Sequence, residues 1–539
     1  MASTLQLLKK YWNRLGGING LILILYVTFA LASHAVTIYV DYNRTFQYVA
    51  RALCNCAFLA AVLCPLLLRK TQAVTIKTDA SLTRTEHRRW IAWSGLITSG
   101  YLLLAYIAHY PGGFGTDSLV QYEQAITGHY IDWHPFLHTL LFFKLPLLLS
   151  GGWTGSIVLF QLLLMAAAMT YAVHTVLRHT NKTAALLTLI FYLINPNTVN
   201  LYMFPVKDNA FSIGAILLTA FAVNIFFTKG EWIKHPLRAL AFVLVFACTT
   251  CMRHNAILFT LPLLIAVMFF ISRRSRLILA IFSLLLVLTV KLPLANALDV
   301  EAADRRKVET MGLPLNVIAA VVTYHPEALD DQTRTFAYQI ADQAIWEECY
   351  TYGNFNHIKS DDRINLNTVE EYSVADILKM TLSCLRRAPQ EALAGLVATT
   401  SPVYSLTDDY NAVFTVQITD NDLGIKAGGV GVMARLYAFF SNLASLVLSH
   451  LVHFIGTMML LLICAILAKS NLWRWADWKR LFLALPVLAY NFGSMLLMTH
   501  RGDALRFFQY TFYLMPLYLI IFLTNRNEGN RIDHPEDKQ

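Results

Sequence analysis

Apolar runs alternate with short polar breaks along most of the chain. A run of roughly 20 apolar residues crosses a bilayer as a helix. On that criterion the sequence predicts spans near 20–40, 51–68, 91–109, 153–177, 183–201, 209–228, 237–252, 256–272, 277–296, 448–468, 480–498 and 507–524. The expected fold is an all-α polytopic membrane protein with about twelve transmembrane helices. The runs at 237–252 and 256–272 are separated only by Arg253-His254-Asn255, and they read as two helices or as one broken element. Two polar stretches are much longer than a turn, 110–152 and 297–435. The second contains amphipathic runs at 337–348 and 374–388, whose spacing favours helices over strands. The chain therefore divides into an extension with a basic loop (1–90), a core (91–296), a polar helical region (297–435), closing helices (436–524) and a polar tail (525–539). Stretch 1–17 is polar and basic and lacks a short apolar core with a small-residue cleavage site, so no cleavable signal peptide is expected.

Composition agrees with the pattern. Hydrophobic residues make up 56% of the 539 and charged residues 14%, against about 45–50% and 25% in soluble domains. This excludes a soluble enzyme, a disordered chain and a collagen-like or coiled-coil rod. Lys and Arg number 43 against 34 Asp and Glu, a net charge of +9. The excess fits positive-inside loops rather than nucleic-acid binding. Basic residues cluster at 69–90, at Arg273, Arg274 and Arg276, and at Arg474, Lys479 and Arg480. All fall on one side if both termini are cytoplasmic, which leaves 110–152, 195–208, 253–255, 297–435 and 499–506 on the outer side. Six of the eight cysteines lie in apolar stretches; Cys349 and Cys384 lie in the polar region, where a disulfide is open.

Candidate chemistry concentrates in those outer segments. Pro111, Gly112, Gly113 and Gly115 end one span, and a short helix begins near Asp117. A carboxylate at the membrane–water boundary can act as a general base on an acceptor hydroxyl, or it can simply cap its helix. Glu123 and Asp132 are weaker acids of the same stretch. A second short helix opens at Pro135, and its apolar run is too short to span, so it lies in the interface or re-enters. His134 and His138 are four apart, a metal-ligand spacing, with His129 nearby; local packing explains the same residues, and the need for a divalent metal stays open. Lys207 and Asp208 open a span, where backbone N–H groups favour an anion. Arg253 stands at membrane depth beside Asn255 and requires a carboxylate or phosphate partner. Arg501 and Arg506 precede the last span and could clamp a phosphate.

This layout resembles the GT-C superfamily of integral-membrane glycosyltransferases. There, an acidic residue opens the first external loop, and two short juxtamembrane helices follow, the second often starting at a His-Pro motif. Here Asp117 stands at the acidic position and His134-Pro135 opens the second helix, and the next span ends in Arg178. The match covers about 91–296, and uncharacterised bacterial, mainly Gram-positive, membrane proteins share the Asp-Ser, Trp-His-Pro, Lys-Asp and Arg-x-Asn segments. Two extra spans precede the expected first helix, and one Asp replaces the acidic pair.

The resemblance implies an inverting transferase in a bacterial cytoplasmic membrane, taking a sugar from a polyprenyl-phosphate donor to an extracytoplasmic glycan, lipid or protein hydroxyl. Asp117 would be the base, and Lys207, Arg253, Arg501 and Arg506 would hold the donor phosphate. Tyr122, Trp133 and His134 would contact the sugar, with Asp132, His138, Asp208 and Asn255 as further substrate-binding candidates. The rival from another class is a transporter or lipid flippase, which predicts internal repeats and a midplane site; no convincing repeat is visible between the halves. A polysaccharide polymerase or ligase would place its arginines and histidines in a large late loop, whereas here the richest loop is early.

Overall fold

The computed structural model describes residues 28, 30, 82–194, 196–303, 306–405, 415–448, 455–469 and 475–524. The spans expected at 20–40 and 51–68 fall outside the described residues, except that Thr28 and Ala30 are helical; the tail 525–539 also falls outside. Among the described residues the secondary structure is helical, and extended pairing is limited to isolated bridges. The principal helices are α1 (Arg84–Ala108), α2 (Thr116–Thr127), α3 (Phe136–Leu149), α4 (Gly155–His179), α5 (Lys182–Leu193), α6 (Lys207–Phe227), α7 (Pro236–Cys251), α8 (Ile257–Met268), α9 (Arg273–Ala297), α10 (Gly312–Tyr324), α11 (Asp331–Ile340), α12 (Val374–Arg387), α13 (Pro389–Thr400), α14 (Gly431–Leu448), α15 (Ile455–Lys469), α16 (Leu485–Met495) and α17 (Leu505–Leu523).

Local sequence sets the boundaries. Thr83 and Glu86 form a reciprocal cap on α1: Glu86 N donates to Thr83 Oγ1 at 3.3 Å and Thr83 N to Glu86 Oε2 at 2.9 Å. Ser272, Asp330 and Ser373 cap α9, α11 and α12 through their side chains.

Among the described residues five helices, α1, α4, α6, α9 and α17, are long and apolar enough to cross a membrane. The expected spans 183–201, 237–252, 256–272 and 480–498 appear instead as the shorter helices α5, α7, α8 and α16; of the expected span 448–468, residues 449–454 fall outside the described residues and 455–468 is helical in α15. Helix α6 is central and almost wholly buried, packed by α4, α7 and α17. Gly214 lets α7 approach it closely, since a Cβ there would lie 2.0 Å from Thr249 Oγ1. Helix α9 is the opposite case. Leu277, Ile281, Phe282, Leu285, Leu288 and Leu292 are each more than half exposed. Each such side chain gains roughly 1.5–3 kcal/mol on leaving water, so a continuous face of this kind is suited to lipid.

Arg253-His254-Asn255 joins two antiparallel helices. Asp208 and Arg253 meet at one end of α6 and α7. At the other end Phe226 and Phe270 touch edge to face at 5.4 Å, and Phe269 stacks on Phe482 at 4.7 Å.

The region after α9 builds a second core around Phe336, Trp346, Tyr350 and Phe355. Apolar α10 belongs to it; at 13 residues it is too short to span, and it packs on α12 and α13. Cys349 and Cys384 lie in this core as free thiols. Two seams join the region to the bundle. Asn316 Nδ2 and Phe355 N both donate to Thr499 O, at 3.0 and 2.9 Å, and Arg501 N donates to Gly353 O at 2.9 Å. Phe114 N donates to Gln417 O at 3.1 Å, Thr419 N to Phe114 O at 2.8 Å and Gly428 N to Tyr110 O at 2.8 Å.

Candidate functional site

The loop before α2 lies flat on the 203–204 turn. Gly112 makes this approach feasible: its φ is 117°, and a Cβ there would meet Met203 O at 2.7 Å. The same turn leads into α6, so the starts of α2 and α6 come together and Asp117 faces Lys207.

Five separate segments converge at this point. Arg506 Nη1 donates to Asp117 Oδ2 at 3.0 Å, and Arg506 Nε lies 3.5 Å from Asp208 Oδ2. Arg253 Nη1 donates to Asp208 Oδ1. Lys207 Nζ donates to His134 Nδ1 at 3.1 Å, and His134 Nε2 lies 3.9 Å from Asp117 Oδ1. A lysine ammonium has only donors, so the His134 ring is neutral and carries its hydrogen on Nε2, toward Asp117.

Burial grades the cluster. Asp208 and Arg253 are 1% and 5% exposed. The Arg253 guanidinium covers the Phe507 ring at 4.2 Å and approaches Tyr490 at 5.9 Å. The side chains of Asp117 and Arg506 are 37% and 23% exposed. Partial burial resists ionisation of Asp117, but Arg506 and Lys207 outweigh it and hold the carboxyl down to about 2. Burial, reinforced by Lys207, pushes the His134 imidazole down to about 3. The cluster thus brings three basic side chains, Lys207, Arg253 and Arg506, against two carboxylates and a neutral imidazole. That surplus suits an anionic guest, with a carboxylate beside it.

The other residues singled out in the sequence have diverse places. Asn255 Nδ2 donates to Ser494 Oγ at 2.8 Å, tying the α7–α8 turn to α16. Asp132 faces His254 at 4.0 Å on the rim. Trp133, beside His134, is 40% exposed. Tyr122 OH meets Thr154 Oγ1 at 3.3 Å, and its ring packs on Phe114. His138 is buried, with Nδ1 accepting from Gln121 Nε2 at 2.9 Å and its ring stacked on Phe142. Glu123 is exposed, and His129 pairs with Glu301 at 2.9 Å. Arg501 belongs to the seam with Gly353 and crowds the Tyr350 neighbourhood. Among the described residues no three His, Cys, Asp or Glu side chains form a metal-ligating group.

Sequence reasoning passed over the second layer. Phe507, Tyr490 and Ser494 hold the arginine turn. Gln509 Nε2 donates to Asn209 Oδ1 at 2.6 Å, while Asn209 Nδ2 donates to Leu201 O and Phe204 O at 2.9 and 2.7 Å. The available signal was a polar amide within two or three residues of each charged group, inside an otherwise apolar run.

No curated protein and no solved structure matches the chain. A model described as a family of unknown function, DUF6020, matches residues 132–530, which takes in Lys207, Asp208, Arg253 and Arg506, and the chain belongs to that family.

Proposed function

We propose that the protein is an inverting glycosyltransferase of the GT-C kind, working on the outer face of a bacterial cytoplasmic membrane with about twelve spans and both termini inside. The donor is a polyprenyl-phosphate-linked sugar, and the acceptor is an extracytoplasmic hydroxyl on a glycan, lipid or protein. One observation carries the reading: Asp117, Lys207, Arg253 and Arg506, from four separate segments, share one cluster with a positive surplus.

In this mechanism the acceptor oxygen attacks the anomeric carbon as its proton passes to Asp117. The bond from that carbon to the phosphate oxygen breaks, and its electron pair leaves with the phosphate. Lys207 and Arg506 stabilise the charge that develops there, a task for preoriented donors in a partly buried site. Arg253, locked on Asp208, holds the cluster open for the guest and adds its field. His134 orients Asp117, and Trp133 offers an exposed face to the sugar.

The test is transfer of radiolabelled sugar from a panel of polyprenyl-phosphate sugars in proteoliposomes, wild type against Asp117→Asn. Transfer, or slow donor hydrolysis, that disappears in the variant supports the reading. A fully active variant sinks the assignment of the base.

A second reading, a transporter or lipid flippase, draws support from polar contacts buried in the bundle, such as Asn491 Nδ2 donating to Thr511 Oγ1 at 3.0 Å. Labelled lipid that equilibrates across the bilayer with no sugar transfer would favour it.

A further inference from the structure

Arg506 is positioned between two carboxylates, and its grip on them is uneven. It makes a 3.0 Å hydrogen bond to Asp117 and a longer 3.5 Å contact to Asp208. Arg253 is fixed by contrast: it is 5% exposed, bonded to Asp208 and pressed on Phe507. Arg506 is the more exposed of the two and lies farther from the Phe507 ring, at 5.4 Å; rotation about its Cδ–Nε bond would carry Nη1 off Asp117 while Nε stays beside Asp208. Among the described residues, the groups whose charge acts most on Asp117 are Arg506 from α17, His134 from the connection before α3 and Lys207 from α6. Asp208 and Arg253 complete the cluster from α6 and the α7–α8 turn, and His254 acts on His134 from that turn.

We propose that Arg506 is a positioning residue that exchanges one anion for another: it holds Asp117 in the resting site and moves onto a singly charged phosphodiester when one binds, which frees Asp117 to accept a proton. The inference rests on the glycosyl-transfer reading and adds the order of events within it. While Arg506 is on Asp117, the carboxylate is a weak base, because its charge is already neutralised. A bound phosphodiester offers Arg506 a bidentate partner. The surplus of one positive charge in the cluster matches the single charge of a phosphodiester better than the larger charge of a diphosphate. The arrangement makes the base available only when a donor is present, which restrains idle proton transfer in the empty site.

The test uses the full-length protein in detergent and a non-reactive probe, an isoprenyl methyl phosphodiester, titrated by calorimetry. The exchange predicts that Asp117→Asn binds the probe about tenfold more tightly than wild type at neutral pH, the worth of one charge-assisted hydrogen bond. In wild type, losing Arg506 raises Asp117 from its resting value of about 2, so binding takes up a proton and the affinity rises as pH falls below the new value; in Asp117→Asn that dependence disappears. Removing a negative charge also tightens anion binding through space, so the cycle is completed in an Arg506→Gln background, where Lys207 and Arg253 keep binding measurable. There the exchange predicts that Asp117→Asn brings little further gain. An equal gain in both backgrounds overturns the exchange and leaves the anion site standing. No binding of the probe by wild type or Asp117→Asn overturns the phosphate reading beneath it.

Discussion

Asp208 and Asp117 both pair with an arginine at the same end of the bundle, yet Asp208 is 1% exposed and Asp117 37% exposed. Asp208 is sealed by Arg253, whose flat face is covered by Phe507. Its ion pair is part of the core, where one charge without the other is costly. Asp117 lies at the open side of the same cluster, with an arginine that solvent and substrate can reach. The difference teaches which carboxylate is locked in the core and which an incoming molecule can reach. A base must exchange protons with an incoming molecule, and Asp208 has no route to one.

The comparison can be broken most directly at Asp117. If it is the base, Asp117→Asn lowers transfer by about 10²–10⁴-fold, while yield and thermal midpoint in detergent stay near wild type. A variant that fails to fold would place Asp117 with Asp208 as a structural acid. Breaking the sealed pair has the opposite signature. Arg253→Ala leaves Asp208 buried without its main partner and costs about 3–5 kcal/mol of stability, read as loss of folded protein in detergent melts. Arg253→Lys keeps the charge but loses the planar fork and the ring contact, so it recovers only part of that loss. At Arg506 the effect is divided. Arg506→Ala lowers transfer more than Arg501→Ala does, because Arg506 touches both aspartates while the Arg501 side chain lies against Gly353; equal losses would move the site toward the seam. The smallest effect is on pH stability. Asp117 sits at about 2, below its ordinary 3.8. Its contribution is present above the ordinary value and is lost as pH falls toward 2. Solvent screening limits it to about 0.2–1 kcal/mol, and Arg506→Gln reduces the dependence in acid melts, with Lys207 supplying what remains.

Much of this arrangement is legible in the sequence because charge in an apolar run is expensive. Lys207, Asp208, Arg253 and Arg506 stand out for that reason, and Asp117 stands out through the Pro-Gly break before it. Their pairing is not legible. Nothing local says that Arg253 seals Asp208 while Arg506 reaches Asp117, since both contacts join segments far apart in the chain. Arg501 and Arg506 share one polar segment, yet a short helical turn directs the first to the outer helices and the second to the cluster. Hydropathy alone also misreads lengths. The run at 480–498 yields only the eleven residues of α16, which end where Ser494 is needed to hold Asn255. The apolar α10 lies inside the polar region, because a helix that short serves a core as well as a membrane.

The contact between Arg506 and Asp117 spans 389 residues of chain. A ribosome adding about 5–20 residues per second takes roughly 20 to 80 seconds to cover that distance. Throughout that interval Asp117 has been synthesised and its arginine has not. Assembly of the cluster therefore waits for α17, and a chain stalled before Arg506 carries Asp117 without the arginine that holds it.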